Sequence, residues 1–126
     1  MKINFIHKNE KYPIEYKHLK KQSNYFSKLN EELKRDEINV NLVDEFDSHP
    51  EISSEVIHNF IDYFIKQEIN ITPSNIFSLQ YLSFKFQVSK LQNKVDEYIN
   101  NNYAELIDNF LQNYEEEQKI NYQSIN

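Results

Sequence analysis

Four histidines, His7, His18, His49 and His58, are the first residues in this 126-residue chain that could do chemistry. Imidazoles ligate metals or move protons when spacing gathers them. No two of these sit three or four residues apart, and no carboxylate completes a zinc-type ligand set. They read as surface histidines. Asp44, Glu45 and Asp47 offer carboxylate oxygens to a calcium ion. The alternating ligand spacing and the glycine of a calcium loop are missing, so the bland reading is a polar loop. Ser23 could serve as a nucleophile only beside a base, and no histidine stands in a partner position; it reads as a helix cap. Cysteine is absent, which excludes disulfides, thiolate metal sites and cysteine nucleophiles. Glycine is absent as well, which removes every glycine-rich phosphate loop. The expectation is a protein with no catalytic residue, no cofactor and no metal, not an enzyme.

Charge points to protein partners. The net charge is -6. Residues 1–35 carry nine Lys or Arg and four acids, whereas residues 36–126 carry five bases and sixteen acids. An acidic chain gains little from nucleic acid phosphates. A basic end beside an acidic remainder suits protein partners or self-association. Lys17, Lys20 and Lys21 with His18 could form a small anion patch, but Leu19 points inward between them, as on a solvated helix face. The acidic run Glu115–Glu117 reads as a solubility feature at a helix end. No apolar run approaches the roughly 20 residues that span a bilayer. The start, MKINFIHKNEK, lacks the apolar core of a signal peptide. The expected place is the cytoplasm, with the nucleus as a second compartment.

The elements follow from hydrophobic period. Residues 2–6 and 12–16 alternate, with Ile3, Phe5 and then Tyr12, Ile14 and Tyr16 on one face, around the polar turn HKNEK. That is a β-hairpin, with Pro13 facing away from any central ladder. KHLKKQ gives one helical turn with Leu19 inward. Ser23 then caps a helix to about Leu33, with Tyr25, Phe26, Leu29 and Leu33 on its inner face. Ile38, Val40 and Leu42 alternate as a third strand. Residues 53–66 form the clearest helix, with Val56, Ile57, Phe60, Ile61, Phe64 and Ile65 inward. Ile69 and Ile71 mark a short extended segment. Thr72 caps and Pro73 opens the next helix, which buries Ile76, Leu79, Leu82 and Phe86. Ser89 and Gln92 read as a capping box ahead of Leu91, Val95, Tyr98 and Ile99; Asn102 and Glu105 form a weaker one. The last helix carries Leu106, Ile107, Phe110, Leu111 and Tyr114. Its stripe either seals the base of the domain or contacts another chain, and packing within the chain is favoured. With no glycine, asparagine is expected at left-handed turn positions. The order is α+β, one domain with a small three-stranded sheet flanked by five to six helices.

Within that order, YPIEYKHLKKQSNYF over residues 12–26 resembles the BTB/POZ signature. There an F-P-V strand leads to a Leu and then to S-x-Y-F. Tyr12, Pro13, Ile14, Leu19, Ser23, Tyr25 and Phe26 fall in register without a gap. Residues 56–71 resemble the family's next helix and short strand. Residues 75–99 resemble its closing helix pair, through Leu79, Leu82, Phe86, Gln87, Val88, Leu91, Tyr98 and Ile99. Several positions depart from the pattern. Glu15 and Tyr16 replace a His and a basic residue, and Ile65, Lys66 and Gln67 replace Tyr-Thr-Gly. The chain opens at the first strand, as in short-form members that lack the N-terminal dimerisation helix. It is similar in this to the cullin adaptors and the potassium-channel tetramerisation domains.

The resemblance implies a BTB/POZ-like domain over residues 2–100; the apolar pattern beyond it predicts an amphipathic helix over 101–117 and, where apolar density falls, a disordered tail over 118–126. The resemblance also implies a non-catalytic protein–protein interaction module: an adaptor that self-associates or links a partner to a cullin-type ubiquitin ligase. The alternative is a structural oligomerisation domain with no ligase role. The family's hydrophobic-x-Glu cullin motif is expected before the third strand, where this chain reads LKRDE; Leu29, Asn30 and Glu31 match it too early. Leu33, Arg35, Phe110 and Leu111 are the candidate partner-binding residues. Self-association is expected to be weak and salt-sensitive, through the sheet edge near Ile3 and Phe5, the loop at Leu33 and Arg35, or the last helix.

Overall fold

A computed structural model describes residues 1–29, 36–42, 52–109, 111–112 and 114. Strands β1 (Lys2–His7) and β2 (Glu10–Glu15) form the hairpin. Its register pairs Ile3 with Ile14 and Phe5 with Tyr12, so the apolar alternation of both strands lands on one face. The two-residue turn, Lys8 and Asn9, has φ of 50° and 68°. Two left-handed residues give the turn the twist that matches the strands. Among the described residues, only one of the four left-handed positions is an asparagine; Lys8, Gln67 and Gln87 take the others. Their backbones adopt a conformation that costs a residue with a Cβ roughly 1 kcal/mol or more.

Strand β3 (Glu37–Asn41) lies parallel to β1, giving the order β2-β1-β3. A parallel partner requires a crossover, which α1 (Tyr16–Gln22) and α2 (Asn24–Ser27) begin. This order corrects one expectation. Ile3 and Phe5 sit on the central strand and are fully buried, so they form no exposed edge. Pro13 lies on the outer strand β2, where a missing N–H leaves no gap in the central ladder. Helix α2 stops at Ser27 rather than running to Leu33, and its Tyr25 is solvent-exposed.

Helix α3 (Ser54–Lys66) packs against β2 and α1, α4 (Ile76–Lys85) against α3, and α5 (Ser89–Asn101) against α4; a last helix, α6, follows, described at residues 103–109, 111–112 and 114. Ser53 caps α3 by accepting from the Val56 N–H at 3.2 Å. The inner face is Val56, Ile57, Phe60, Ile61, Tyr63 and Phe64; Ile65 points outward. Two start signals work differently from expectation. Helix α4 begins at Ile76, not at Pro73. The buried Asn75 accepts from the Thr72 N–H at 2.8 Å and donates to the Asn70 carbonyl at 2.9 Å, closing a turn ahead of the helix. Helix α5 has no side-chain cap, so the Ser89–Gln92 box does not form. Buried Val88 occupies the cap position and its carbonyl accepts from the Gln92 N–H, which leaves Ser89 exposed inside the first turn. Asn102 turns back to donate to the Tyr98 carbonyl, finishing α5 instead of opening α6 with a side-chain cap.

The core centres on Phe5. Its ring lies 5.9, 6.1 and 5.4 Å from those of Phe26, Phe60 and Phe86, edge-on in each case. Phe26 and Phe86 stack at 5.3 Å. One residue from β1, α2 and α3 and the residue closing α4 thus meet in a single aromatic cluster, in geometries that aromatic quadrupoles favour. Leu79, Leu82 and Leu91 complete it, while Leu29 is half-buried.

Candidate protein-interaction surface

Each residue singled out for chemistry has a structural place. Ser23 is buried; its hydroxyl donates to the Phe86 carbonyl and accepts from the Phe26 N–H. It caps α2 and pins it to the end of α4, and a hydroxyl so engaged is no free nucleophile. His7 is buried on β1, against expectation, because the hairpin turns its side chain under the start of α3. It lines a cleft of about 370 Å³ with Lys8, Glu10, Tyr12, Ile52, Ser53 and Ser54. His18 is half-buried on α1, and His58 is exposed with its ring 5.2 Å from that of Tyr12. His49, Asp44, Glu45 and Asp47 lie outside the described residues. Among the described residues no three His, Asp or Glu side chains gather as a metal site, and no helix is long and apolar enough to cross a membrane.

The predicted partner-binding set is only partly visible. Leu33, Arg35 and Phe110 lie outside the described residues, as do the acidic run 115–117 and the tail 118–126. Leu111 is exposed. Of the described apolar residues on α6, only Leu106 is buried; Ile107, Leu111 and Tyr114 are exposed, and so is Tyr103. Packing within the chain was the favoured reading of this stripe, and the structure corrects it. Leu106 seats the helix by one edge. Tyr103, Ile107, Leu111 and Tyr114, spaced by four, four and three residues, fall together on an adjacent face turned to solvent.

A second apolar surface was not foreseen. On α4, Phe77, Tyr81 and Phe84 follow one another at four and three residues, opposite the buried row Ile76, Leu79, Leu82. Phe84 is 72% exposed and Phe77 44%. Lys85 joins this stripe, donating to the Tyr81 hydroxyl at 3.3 Å with its ammonium 5.6 Å from the ring centre. The sequence held the signal: IFSLQYLSFK is apolar on both faces of a helix, and a helix in a small domain buries only one.

The match to known proteins bears on this geometry. The BTB/POZ domain model matches residues 5–103. No curated protein matches the chain. Among solved structures, the BTB domain of zebrafish PATZ1 is similar with a TM-score of 0.60 and 15% identity, over 79% of this chain and 75% of that one. The BTB domain of human Gigaxonin gives a TM-score of 0.57 and 18% identity, over 76% and 75%. The sheet order, the helix succession and the family match lead to one conclusion: the chain belongs to the BTB/POZ domain family, whose members are generally protein–protein interaction modules.

Proposed function

We propose that this domain is a non-catalytic adaptor inside the cell, in cytoplasm or nucleus. It binds protein partners through its exposed apolar faces and either self-associates or joins a partner to a cullin-type scaffold. The observation that carries the reading is the aromatic stripe of α4, with Phe84 72% exposed. A contiguous aromatic surface rimmed by polar residues is what a protein contact uses as its centre. Ser23, the one serine weighed as a nucleophile, is committed to backbone hydrogen bonds, which supports binding over catalysis.

The second reading is a structural oligomerisation domain with no ligase link, favoured by the apolar face of α6 beside its acids Glu105 and Asp108. Affinity capture with purified cullin scaffolds separates the two. The adaptor reading expects retention of a cullin and its loss in Phe84→Glu. No retention, together with a stable homo-oligomer in sedimentation, leaves the structural reading.

A further inference from the structure

The sheet ends in two outer strands, β2 and β3, and their free edges are not alike. Two backbone bonds set the phase of β3. The Lys2 N–H donates to the Asp36 carbonyl at 2.9 Å, and the Leu42 N–H donates to the Ile6 carbonyl at 2.8 Å. In a parallel ladder alternate residues face the neighbour, so Ile38 and Val40 turn their backbone groups to β1. Those of Glu37, Asn39 and Asn41 point the other way, along the outer edge. Among the described residues only β1 pairs with β3. On the far side, the Tyr16 N–H donates to the Met1 carbonyl at 2.9 Å, which sets the phase of β2. Pro13, opposite Asn4, then has its ring nitrogen on the outer side. That edge lacks a donor at its middle and carries Glu10, Lys11 and Glu15. Proline and charge keep a sheet edge from taking another strand. Strand β3, EINVN, has no proline and no lysine, and its one charge is Glu37.

The β3 edge also complements itself. An antiparallel strand with Asn39 opposite Asn39 of a second copy engages every outward residue of β3. This register sets Glu37 across from Asn41, so no like charges meet. The slide that aligns Glu37 with Glu37 of the second copy pairs fewer residues and sets acid against acid. On the core side Ile38 meets Val40. Both are half-buried beside the core, in register with Ile3 and Phe5. Side chains of a non-hydrogen-bonded pair stand close, so each covers the other.

We infer that the outer edge of β3 is a homodimer seam, where β3 of one copy pairs antiparallel with β3 of a second and two three-stranded sheets become one. The partner is a second copy because hydrogen bonds, charge and apolar face all complement themselves in one register. The contact is isologous and closes at two copies, since Pro13 blocks the other edge of each sheet. It goes beyond the proposed use of the α4 and α6 faces and leaves both open. A seam of one short strand buries little area, so the dimer is weak.

Sedimentation equilibrium of the whole chain over a concentration series tests this. The wild type should pass from monomer to dimer and no further. Asn39→Pro removes a donor that β1 does not use and should weaken the dimer about tenfold or more. Circular dichroism and the urea midpoint check that this variant folds. Charge changes at the exposed Glu37 and Asn41 test the register without proline. Asn41→Glu faces Glu37 across the seam and should weaken the dimer about threefold or more, because the twofold axis counts the pair twice. The same substitution added to Glu37→Lys should strengthen the dimer by a similar factor. Asn41→Glu acting with one sign in both backgrounds overturns the inference. So does a folded Asn39→Pro that dimerises like the wild type. A dimer that Phe84→Glu dissociates overturns it in favour of the α4 face. A wild type that stays monomeric throughout overturns it too, while retention of a cullin by that monomer leaves the adaptor reading intact.

Discussion

Tyr63 shows how one residue's surroundings set its chemistry. It is 2% exposed on the inner face of α3, with the Lys94 ammonium 5.4 Å from its ring centre. Burial disfavours the phenolate and raises its pKa above the ordinary value of 10.0. The unfolded chain therefore releases this proton first as pH rises. Its contribution to stability is complete below pH 10 and declines above it, toward the higher folded value. Urea melts between pH 9 and pH 11 should show this decline, and Tyr63→Phe should flatten it. An equal decline in the variant would assign the loss to other groups. Ser23 was legible in the sequence as a cap but not as a buried link to the Phe86 carbonyl, because its acceptor lies 63 residues away.

At the scale of the element, Ser53 and Ser89 stand at the starts of two helices and only Ser53 caps. Ser53 holds the Val56 N–H, whereas Ser89 holds no backbone donor. Ser53→Ala should cost about 1 kcal/mol, and Ser89→Ala only a few tenths. Thermal melts of the two variants check this; equal losses would restore a capping role to Ser89. Both serines stand at the start of an apolar helix, and the outcome turns on which residue holds the cap position. Val88 takes it in α5 because the core takes the Val88 side chain, after Gln87 adopts a φ of 53°. The period-2 and period-3.6 patterns nevertheless located all three strands and the helices α3, α4 and α5 to within a few residues. Those patterns record which face each element must bury, and the core honours them.

For the whole molecule, the aromatic cluster predicts cooperativity. Phe60 joins α3 to the sheet at Phe5 and to the end of α4 at Phe86, 6.1 and 6.0 Å away. Phe60→Ala should cost about 3–5 kcal/mol, since the cavity sits where three elements meet. Urea transitions followed by circular dichroism and by tyrosine fluorescence should coincide before and after the change. Transitions that separate would mean that the sheet and the helices unfold independently. The sequence by itself determined the α+β class, the family resemblance, the absence of cysteine and glycine chemistry, and most of the core. Those are consequences of residue type and local period, which each segment carries within itself. Tertiary structure alone decided that β1 is central and so closes the edge at Ile3 and Phe5. It decided that His7 is buried, that α6 docks by Leu106 and that Phe77 and Phe84 remain in solvent. These depend on which elements become neighbours. A helix apolar on two faces cannot say from its own sequence which face the core will reach first.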